Sequence, residues 1–579
     1  MIISRTKHCK FLSEELEVQV GSFKRKMNAD ALFKLEEDNE LFIAQLVAFK
    51  NSEMILRFAT KRGLPRVNEH LHCFLVPKHL RNYKEWKGLS LGSLYKERIT
   101  ATEVSCKWQQ LDSNNEFSIA GFHGMSLEFI ADLQDAVGVL LFLGPTVPPT
   151  EYLSALHKIC LNNNSAGVSR TLDYDFQPHI WEVKALGGPT ITEQAIEHLK
   201  EKNSTEMVIC QGPPGTGKTF LIAEICAALC EQGASVLVTA LTNKALMELA
   251  EKPALQKMLK NKRVFKTNLT SEESKRLPNL EPTSEIIPLS GSLILSTFFK
   301  SCTAAAEYKT TNQFDYVIVD EASQAFLSTI AATQILSNKV LLVGDTNQLP
   351  PIVELGDDHV NHNAYRPLIN GLETLSSNST AETYQLVDTY RLTERAAAYT
   401  GLFYKAGLFS KSDKSVRLYY PGLQQEYSQL FHYQGGPTLI KTAMPANDFA
   451  PKIILDFIAE LIKQLLKDSD KLQIAVLAHS VKTVKAIQQK MLREVGSKKN
   501  LLVETVSRVQ GLTTDITIYF VPNTRTYYSL EKRHFNVATS RSKRHTLIIA
   551  DEKILAMPNL DLAVQNYLQK LNNEFSFKL

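Results

Sequence analysis

The chain has 579 residues, 44% of them hydrophobic and 22% charged, the composition of a globular protein with room for roughly three or four domains. Lys and Arg number 65 against 61 Asp and Glu, and this net charge of +4 permits a polyanionic partner without demanding one. Eight cysteines without a C-x-x-C pair argue against a disulfide or zinc scaffold, and the longest apolar run, near 137–143, is too short for a bilayer. With no apolar leader segment, a reducing intracellular location, cytoplasmic or nuclear, and no membrane partner are expected.

Residues 1–150 carry no catalytic motif. Leu41–Phe49 and Met54–Phe58 read as strands joined by the turn Lys50-Asn51-Ser52-Glu53, with further short strands at Cys73–Val76 and Phe117–Phe122. Gly144-Pro145-Thr146-Val147-Pro148-Pro149 reads as a linker closing a β-rich domain. His70, His72 and Cys73 stand close together, but adjacent ligands rarely build a structural metal site and none is expected.

From 151 to 378 strands alternate with helices, the pattern of a parallel sheet with crossovers. Met207-Val208-Ile209-Cys210 predicts a buried strand and Phe220–Leu229 an apolar helix. Between them Gly212-Pro213-Pro214-Gly215-Thr216-Gly217-Lys218-Thr219 fits G-x-x-x-x-G-K-[ST], a phosphate-binding loop. Its glycines allow the backbone N–H groups to approach a polyphosphate, Lys218 would reach the β- and γ-phosphates, and the Thr219 hydroxyl would bind Mg²⁺. Cys226 and Cys230, four apart on the helix, are expected in the core, and the basic cluster Lys257–Lys266 on a solvated helix face.

Phe314–Glu321 is an apolar strand ending in two carboxylates. Asp320 at its carboxyl end would hold Mg²⁺, and Glu321 would orient or deprotonate an attacking water. A third strand, Val340–Val343, runs into Gly344-Asp345-Thr346-Asn347-Gln348-Leu349-Pro350-Pro351. From 379 to 579 the alternation resumes with a helix at Ile453–Leu466 and strands at Ile474–Leu477, Ile516–Val521 and Thr546–Ala550, but there is no second phosphate loop.

Asp320-Glu321-Ala322-Ser323-Gln324 and Gly344-Asp345-x-x-Gln348-Leu349-Pro350-Pro351 resemble motifs II and III of superfamily 1 helicases, in particular the 1B branch typified by the up-frameshift helicase, senataxin and the immunoglobulin μ-binding helicase. Gln194 matches the adenine-reading Q motif, Val238–Ala245 is similar to motif Ia, and Ser296-Thr297 to motif Ic. Asp388-Thr389-Tyr390-Arg391 with Phe403–Leu408, Val506–Gly511 and Asn536–Ser542 resemble the family's Q-Y-R…F-Y-x-x-x-L segment and motifs V and VI. The sequence departs from the pattern at Thr513, where an acid is usual, at Ala478-His479-Ser480, where motif IV has T-P-Y, and at Thr389 and Ser540.

The resemblance implies an α/β fold with two RecA-like P-loop motor domains, parallel sheets with flanking helices, preceded by a small β-barrel-like domain. ATP and Mg²⁺ would sit between the motors, on Gln194, Gly212, Gly215, Thr216, Gly217, Lys218, Thr219 and Tyr390. Gln348 would sense the γ-phosphate, Arg391 and Arg541 would act as arginine fingers, and Thr242, Asn243, Ser296, Thr297, Ser507 and Arg508 would hold single-stranded nucleic acid, DNA or RNA. The expectation is a single-chain 5′→3′ helicase or translocase, with DNA slightly favoured. The alternatives are an ATPase switch that clamps or remodels complexes without unwinding, or a subunit of a nuclease or defence complex.

Overall fold

The computed structural model describes residues 2–579 apart from 51–52, 60–63, 66–69, 77–79, 81, 96–100, 112–116, 134–138, 176–182, 189, 202–206, 308–312, 378–380, 413–419, 421–422, 469–470, 497, 499 and 524–525. The expected turn residues Asn51 and Ser52 lie outside this set. Among the described residues no helix is long and apolar enough to cross a membrane.

The β-rich region is a closed antiparallel barrel of six strands, Phe42–Lys50, Glu53–Ala59, Phe117–His123, Ala101–Leu111, His70–Leu75 and Leu140–Thr146 in spatial order, the last pairing back onto the first. Alternation builds it: in Glu53–Ala59 every second residue, Met54, Leu56 and Phe58, points into the core beside Phe122 and Leu141. Gly144-Pro145-Thr146 does not form the expected linker but the end of the last strand. Gly144 adopts φ 126°, and a Cβ there would run into the Glu40 carbonyl, so this glycine serves a close backbone approach rather than a turn.

A 24-residue helix, Arg5–Asn28, capped by the Ser4 hydroxyl, ties the barrel to the first motor. Its first half packs Phe11 against Phe326 and Tyr365, and its last turns place Phe23 on His72 and bury Met27 with Trp86 and Phe142 of the barrel. Midway, Glu15 is fully buried and accepts from the backbone N–H of Glu354 (2.8 Å) and Leu355 (3.1 Å) and from Gln19 Nε2 (2.6 Å). Glu14 accepts from the Tyr365 hydroxyl at 2.8 Å. This clasp on the segment behind Pro350-Pro351 carries no motif in the sequence.

The first motor is a nine-stranded, wholly parallel sheet ordered Glu281–Thr283, Val264–Thr267, Leu293–Thr297, Val236–Ala240, Tyr316–Val319, Val340–Gly344, Met207–Gln211, Glu382–Leu386, Lys184–Leu186. Its central strands are buried on both faces, as helices covering each side require. Cys226 and Cys230 lie in that core. Lys266 departs from the expected solvated helix: it stands on the strand Val264–Thr267 with its side chain fully buried, paired with Glu273 at 3.1 Å. Because Glu382–Leu386 pairs with the phosphate-loop strand, the chain leaves this sheet only after Leu386.

The second motor has six parallel strands ordered Leu501–Thr505, Ile474–Ala478, Thr514–Phe520, Ser542–Asp551, Gly436–Thr442, Ser576–Lys578. Its helices cover both faces: Lys452–Asp468 and Val481–Glu494 on one, Lys532–Thr539 and Leu562–Glu574 on the other.

Candidate active site

In a parallel sheet the carboxyl ends of the strands share one edge, where ligands of open α/β sheets bind. The phosphate loop leaves Gln211 between two neighbours, anchored where Gly212 N–H donates to the Gly344 carbonyl at 2.8 Å. Gly215 (φ 75°) and Gly217 (φ 81°) take the left-handed conformation, and Gly217 caps the 14-residue helix Lys218–Glu231, whose positive end faces the loop. Lys218 arches back over the loop so that its Nζ donates to the Gly212 carbonyl at 2.8 Å, and Thr216 Oγ1 donates to the Pro213 carbonyl at 2.8 Å. A Cβ on Gly212 would occupy the space of the Lys218 methylenes. Thr219 is half-buried on the first helical turn.

Asp320 ends the strand Tyr316–Val319, 3% exposed, and accepts from the Glu321 N–H at 2.8 Å. Burial, then the charge of Glu321, pushes its carboxyl above the usual range. No cation among the described residues forms an ion pair with it, so a buried carboxylate beside a phosphate loop is left for a metal ion to neutralise, and Asp320 with Thr219 fits Mg²⁺. Glu321 sits at φ 51° and accepts from Gln510 Nε2 of the second motor at 3.4 Å.

Asp345, fully buried at the end of the next strand, organises a bridge between the motors. It accepts from Gln348 Nε2 (2.9 Å), the Asn347 N–H (3.0 Å) and the Tyr404 hydroxyl (2.7 Å). Tyr404 accepts in turn from Asn536 Nδ2 (2.9 Å), which also donates to the Asn347 carbonyl (2.8 Å). Gln348 therefore spends its amide inside this network and is 4% exposed. Gln324 Nε2 adds a second bridge, donating to the Leu349 carbonyl and to Gln510 Oε1.

The two arginines reach the site by different routes. Arg391 follows a hinge held directly to the phosphate loop: Thr389 Oγ1 donates to the Pro214 carbonyl (3.0 Å) and Tyr390 N–H to the Gly215 carbonyl (2.9 Å). A Cβ on Gly215 would collide with Arg391 Cβ and come within 2.7 Å of Thr389 Oγ1. Arg541 comes from the second motor, 1% exposed at the end of the helix Lys532–Thr539, with Nε donating to the Val537 carbonyl at 2.9 Å. Arg391 Nη1 donates to the Ser540 carbonyl at 3.4 Å, which joins the two. Burial, then the like charge of Arg541, lowers the pKa of Arg391; burial also lowers that of Arg541, against the pull of Glu321, Tyr404 and Asp345. Guanidinium groups keep their protons, so these shifts record two cations held out of water, which an anion bound beside them would stabilise.

Tyr390 is 63% exposed with its ring beside Gly217, and Gln194, on the helix Ile191–Glu201, donates from Nε2 to Thr190 Oγ1 at 3.1 Å. A cavity of 830 Å³ lies behind the bridge, lined by Thr346, Asn347, Tyr404, Tyr527 and Arg533 but not by the glycines of the loop.

The remaining candidates lie along the same carboxyl edges, away from the phosphate loop. Thr242 is exposed and caps the helix Asn243–Ala250, accepting from Ala245 N–H. Asn243 accepts from the buried Lys266 Nζ at 2.9 Å. Thr297 is half-buried, whereas Ser296 is fully buried and takes a hydrogen bond from Thr267 Oγ1 at 3.1 Å, with its hydroxyl inside the sheet. Ser507 and Arg508 are exposed at the end of Leu501–Thr505, with Arg508 Nη1 3.5 Å from Glu504. The hinge bonds to the loop and the Asp345–Tyr404–Asn536 bridge go beyond the sequence motifs; their residues stand in those motifs, but nothing in the motifs says which of them touch.

Two family models, each described as an AAA domain, match residues 192–354 and 370–553. The chain is 27% identical to the human DNA replication ATP-dependent helicase/nuclease over 416 residues, 64% of this chain and 38% of that one. It is 23% identical to the Drosophila melanogaster regulator of nonsense transcripts 1 homolog over 440 residues, 66% and 36% respectively. It thus spans less than two-fifths of the length of either relative. The crystal structure of the arterivirus nonstructural protein 10 helicase aligns over 90% of this chain and 79% of that one, at 11% identity and a TM-score of 0.38, too loose a likeness to bear on the site. With both motor regions matched, the chain belongs to the superfamily 1B helicases.

Proposed function

We propose that this chain hydrolyses ATP to move 5′→3′ along single-stranded nucleic acid and unwind duplexes ahead of it. The observation that carries the reading is the convergence of Arg391, which follows a segment tied to the phosphate loop, and Arg541, carried by the other motor, on the carboxylate Glu321 beside that loop. Charge develops on the γ-phosphoryl oxygens during transfer, and fingers of this kind typically contribute 10³ to 10⁵ in rate. Gly212, Gly215, Thr216, Gly217 and Lys218 would cradle the phosphates, Tyr390 and Gln194 would meet the base, and Gln348 would respond to the γ-phosphate through Asp345. Glu321 would orient the water. Mg²⁺ on Thr219 and Asp320 would offset the phosphate charge.

The motor assignment follows the division 1–150, 151–378 and 379–579, with Glu382–Leu386 counted with the first sheet that it pairs with. Closure around ATP and release after hydrolysis would shift Ser507 and Arg508 relative to Thr242, Asn243 and the Ser296-Thr297 segment along the strand. DNA is favoured over RNA because a human relative is named for DNA replication and no RNA-binding module is recognisable in the sequence. The 5′→3′ sense rests on the compact motors, whose extra mass is the N-terminal barrel.

Strand displacement on duplexes with a 5′ or a 3′ overhang, run beside ATPase assays with matched DNA and RNA, tests the proposal. Unwinding from the 5′ overhang is expected. Unwinding from the 3′ overhang alone refutes the polarity. Stimulated hydrolysis without displacement refutes unwinding in favour of a nucleic-acid-bound switch, and silence in both assays refutes the chain as an autonomous motor.

A further inference from the structure

On the second motor, three neighbouring strands, Leu501–Thr505, Ile474–Ala478 and Thr514–Phe520, end side by side, with Ala478 in register with Thr505. The residues just beyond these three ends form a row: Ser507 and Arg508, then His479, then Tyr528 on the short helix Thr526–Ser529. His479 replaces the proline of motif IV's T-P-Y. Its ring stacks on Tyr528 with centroids 5.4 Å apart and planes 14° from parallel, and His534 meets it edge-on at 5.0 Å. Glu531 fixes His534 by accepting from its Nδ1 and its N–H, each at 3.0 Å. The stack is therefore braced from the protein side, while Tyr528 remains 53% exposed.

We propose that the His479–Tyr528 pair is a base-stacking platform for single-stranded nucleic acid, adding a contact to the bases beside the backbone contacts of Ser507 and Arg508. The inference rests on the nucleic-acid reading of the same edge. A braced π-stack with an open outer face accepts any base without reading its sequence, as a moving motor requires. Cations flank it: Arg508, whose partner Glu504 a phosphate can displace, and Lys482, which lies over Phe449 at 4.1 Å. The acid that fixes His534, Glu531, is itself engaged by the His534 ring and the helix N–H groups of Arg533 and His534. Tyr527, beside Tyr528, faces the cavity between the motors instead.

The test is fluorescence anisotropy with a labelled single strand and with the same strand carrying abasic sugars throughout its middle. Tyr528→Ala is expected to weaken binding of the normal strand about 5- to 150-fold. Binding of the abasic strand is expected to stay within about twofold, since that strand never had the stack. Tyr528→Phe keeps the ring and should bind as wild type. His479→Ala, which removes the brace, should give the same pattern with a smaller loss, and it serves if Tyr528→Ala melts early. Equal loss on both strands, or no loss on the normal strand, overturns the platform while the motor reading stands. If the wild-type chain binds neither strand, both readings fall.

Discussion

Along a single carboxyl edge the first motor sheet carries two unlike surfaces. Where Tyr316–Val319, Val340–Gly344 and Met207–Gln211 end, charged groups are buried and bonded: Asp320 and Asp345 within the sheet, Arg541 across the cleft. Where Val236–Ala240 and Leu293–Thr297 end, Thr242 is exposed and Thr297 only half-buried, both open to solvent. Phosphoryl transfer needs charge placed before the reaction begins, so its residues are held by fixed hydrogen bonds in a dry site. A polymer that slides needs weak, replaceable contacts, and these are left at the surface. The contrast makes the first half sensitive to single substitutions and the second half tolerant of them.

The largest expected effect is at the phosphate loop. Lys218→Ala should abolish hydrolysis in a coupled ATPase assay while the melting temperature stays near wild type, because among the described residues the lysine amine bonds only to the Gly212 carbonyl. Turnover by a folded Lys218→Ala chain would remove this loop from the chemistry. Next come the arginines: Arg391→Ala and Arg541→Ala should each cut kcat by about 10³ or more with nucleotide affinity held within about tenfold. Glu321→Gln should do the same and trap ATP in stopped-flow experiments. A wild-type rate in either arginine variant would show that the buried half owes its sensitivity to packing alone.

Thr389→Val keeps the shape of the hinge but deletes its bond to the Pro214 carbonyl, a loss of about 1 kcal/mol that should lower kcat/KM about fivefold. Arg508→Ala, on the open surface of the second motor, should weaken single-strand binding modestly. It should also reduce the slope of log K against log salt by about 0.7, the effect of removing one cation–phosphate pair from a single strand. A change in kcat larger than that of Thr389→Val would blur the division between the two surfaces.

Legibility in the sequence divides along the same line. The phosphate loop, Asp320-Glu321 and the strands around them are contiguous patterns, in which each residue's role depends on neighbours a few positions away. Arg391 is legible as a finger, but its anchorage is not, since Thr389 and Pro214 are 175 residues apart and only the fold brings them together. Lys266 misleads because a run of basic residues looks the same on a helix face and on a buried strand whose lysine finds Glu273 and Asn243. Gly144 and Pro145 mislead because glycine and proline mark both loops and close-packed strand ends. Ser296 reads as an exposed contact by motif, yet Thr267 holds it within the sheet.

The helix Arg5–Asn28 is about 36 Å long, and Glu15 grips it to the segment behind Pro350-Pro351 near its middle. Rigid and clasped there, it behaves as a lever arm with the barrel on its far end. About 20 Å separates Glu15 from the last turn, so a tilt of about 5° at the clasp swings the barrel end by about 2 Å. A shift of the Glu354-Leu355 segment would thereby be enlarged at the barrel end of the helix.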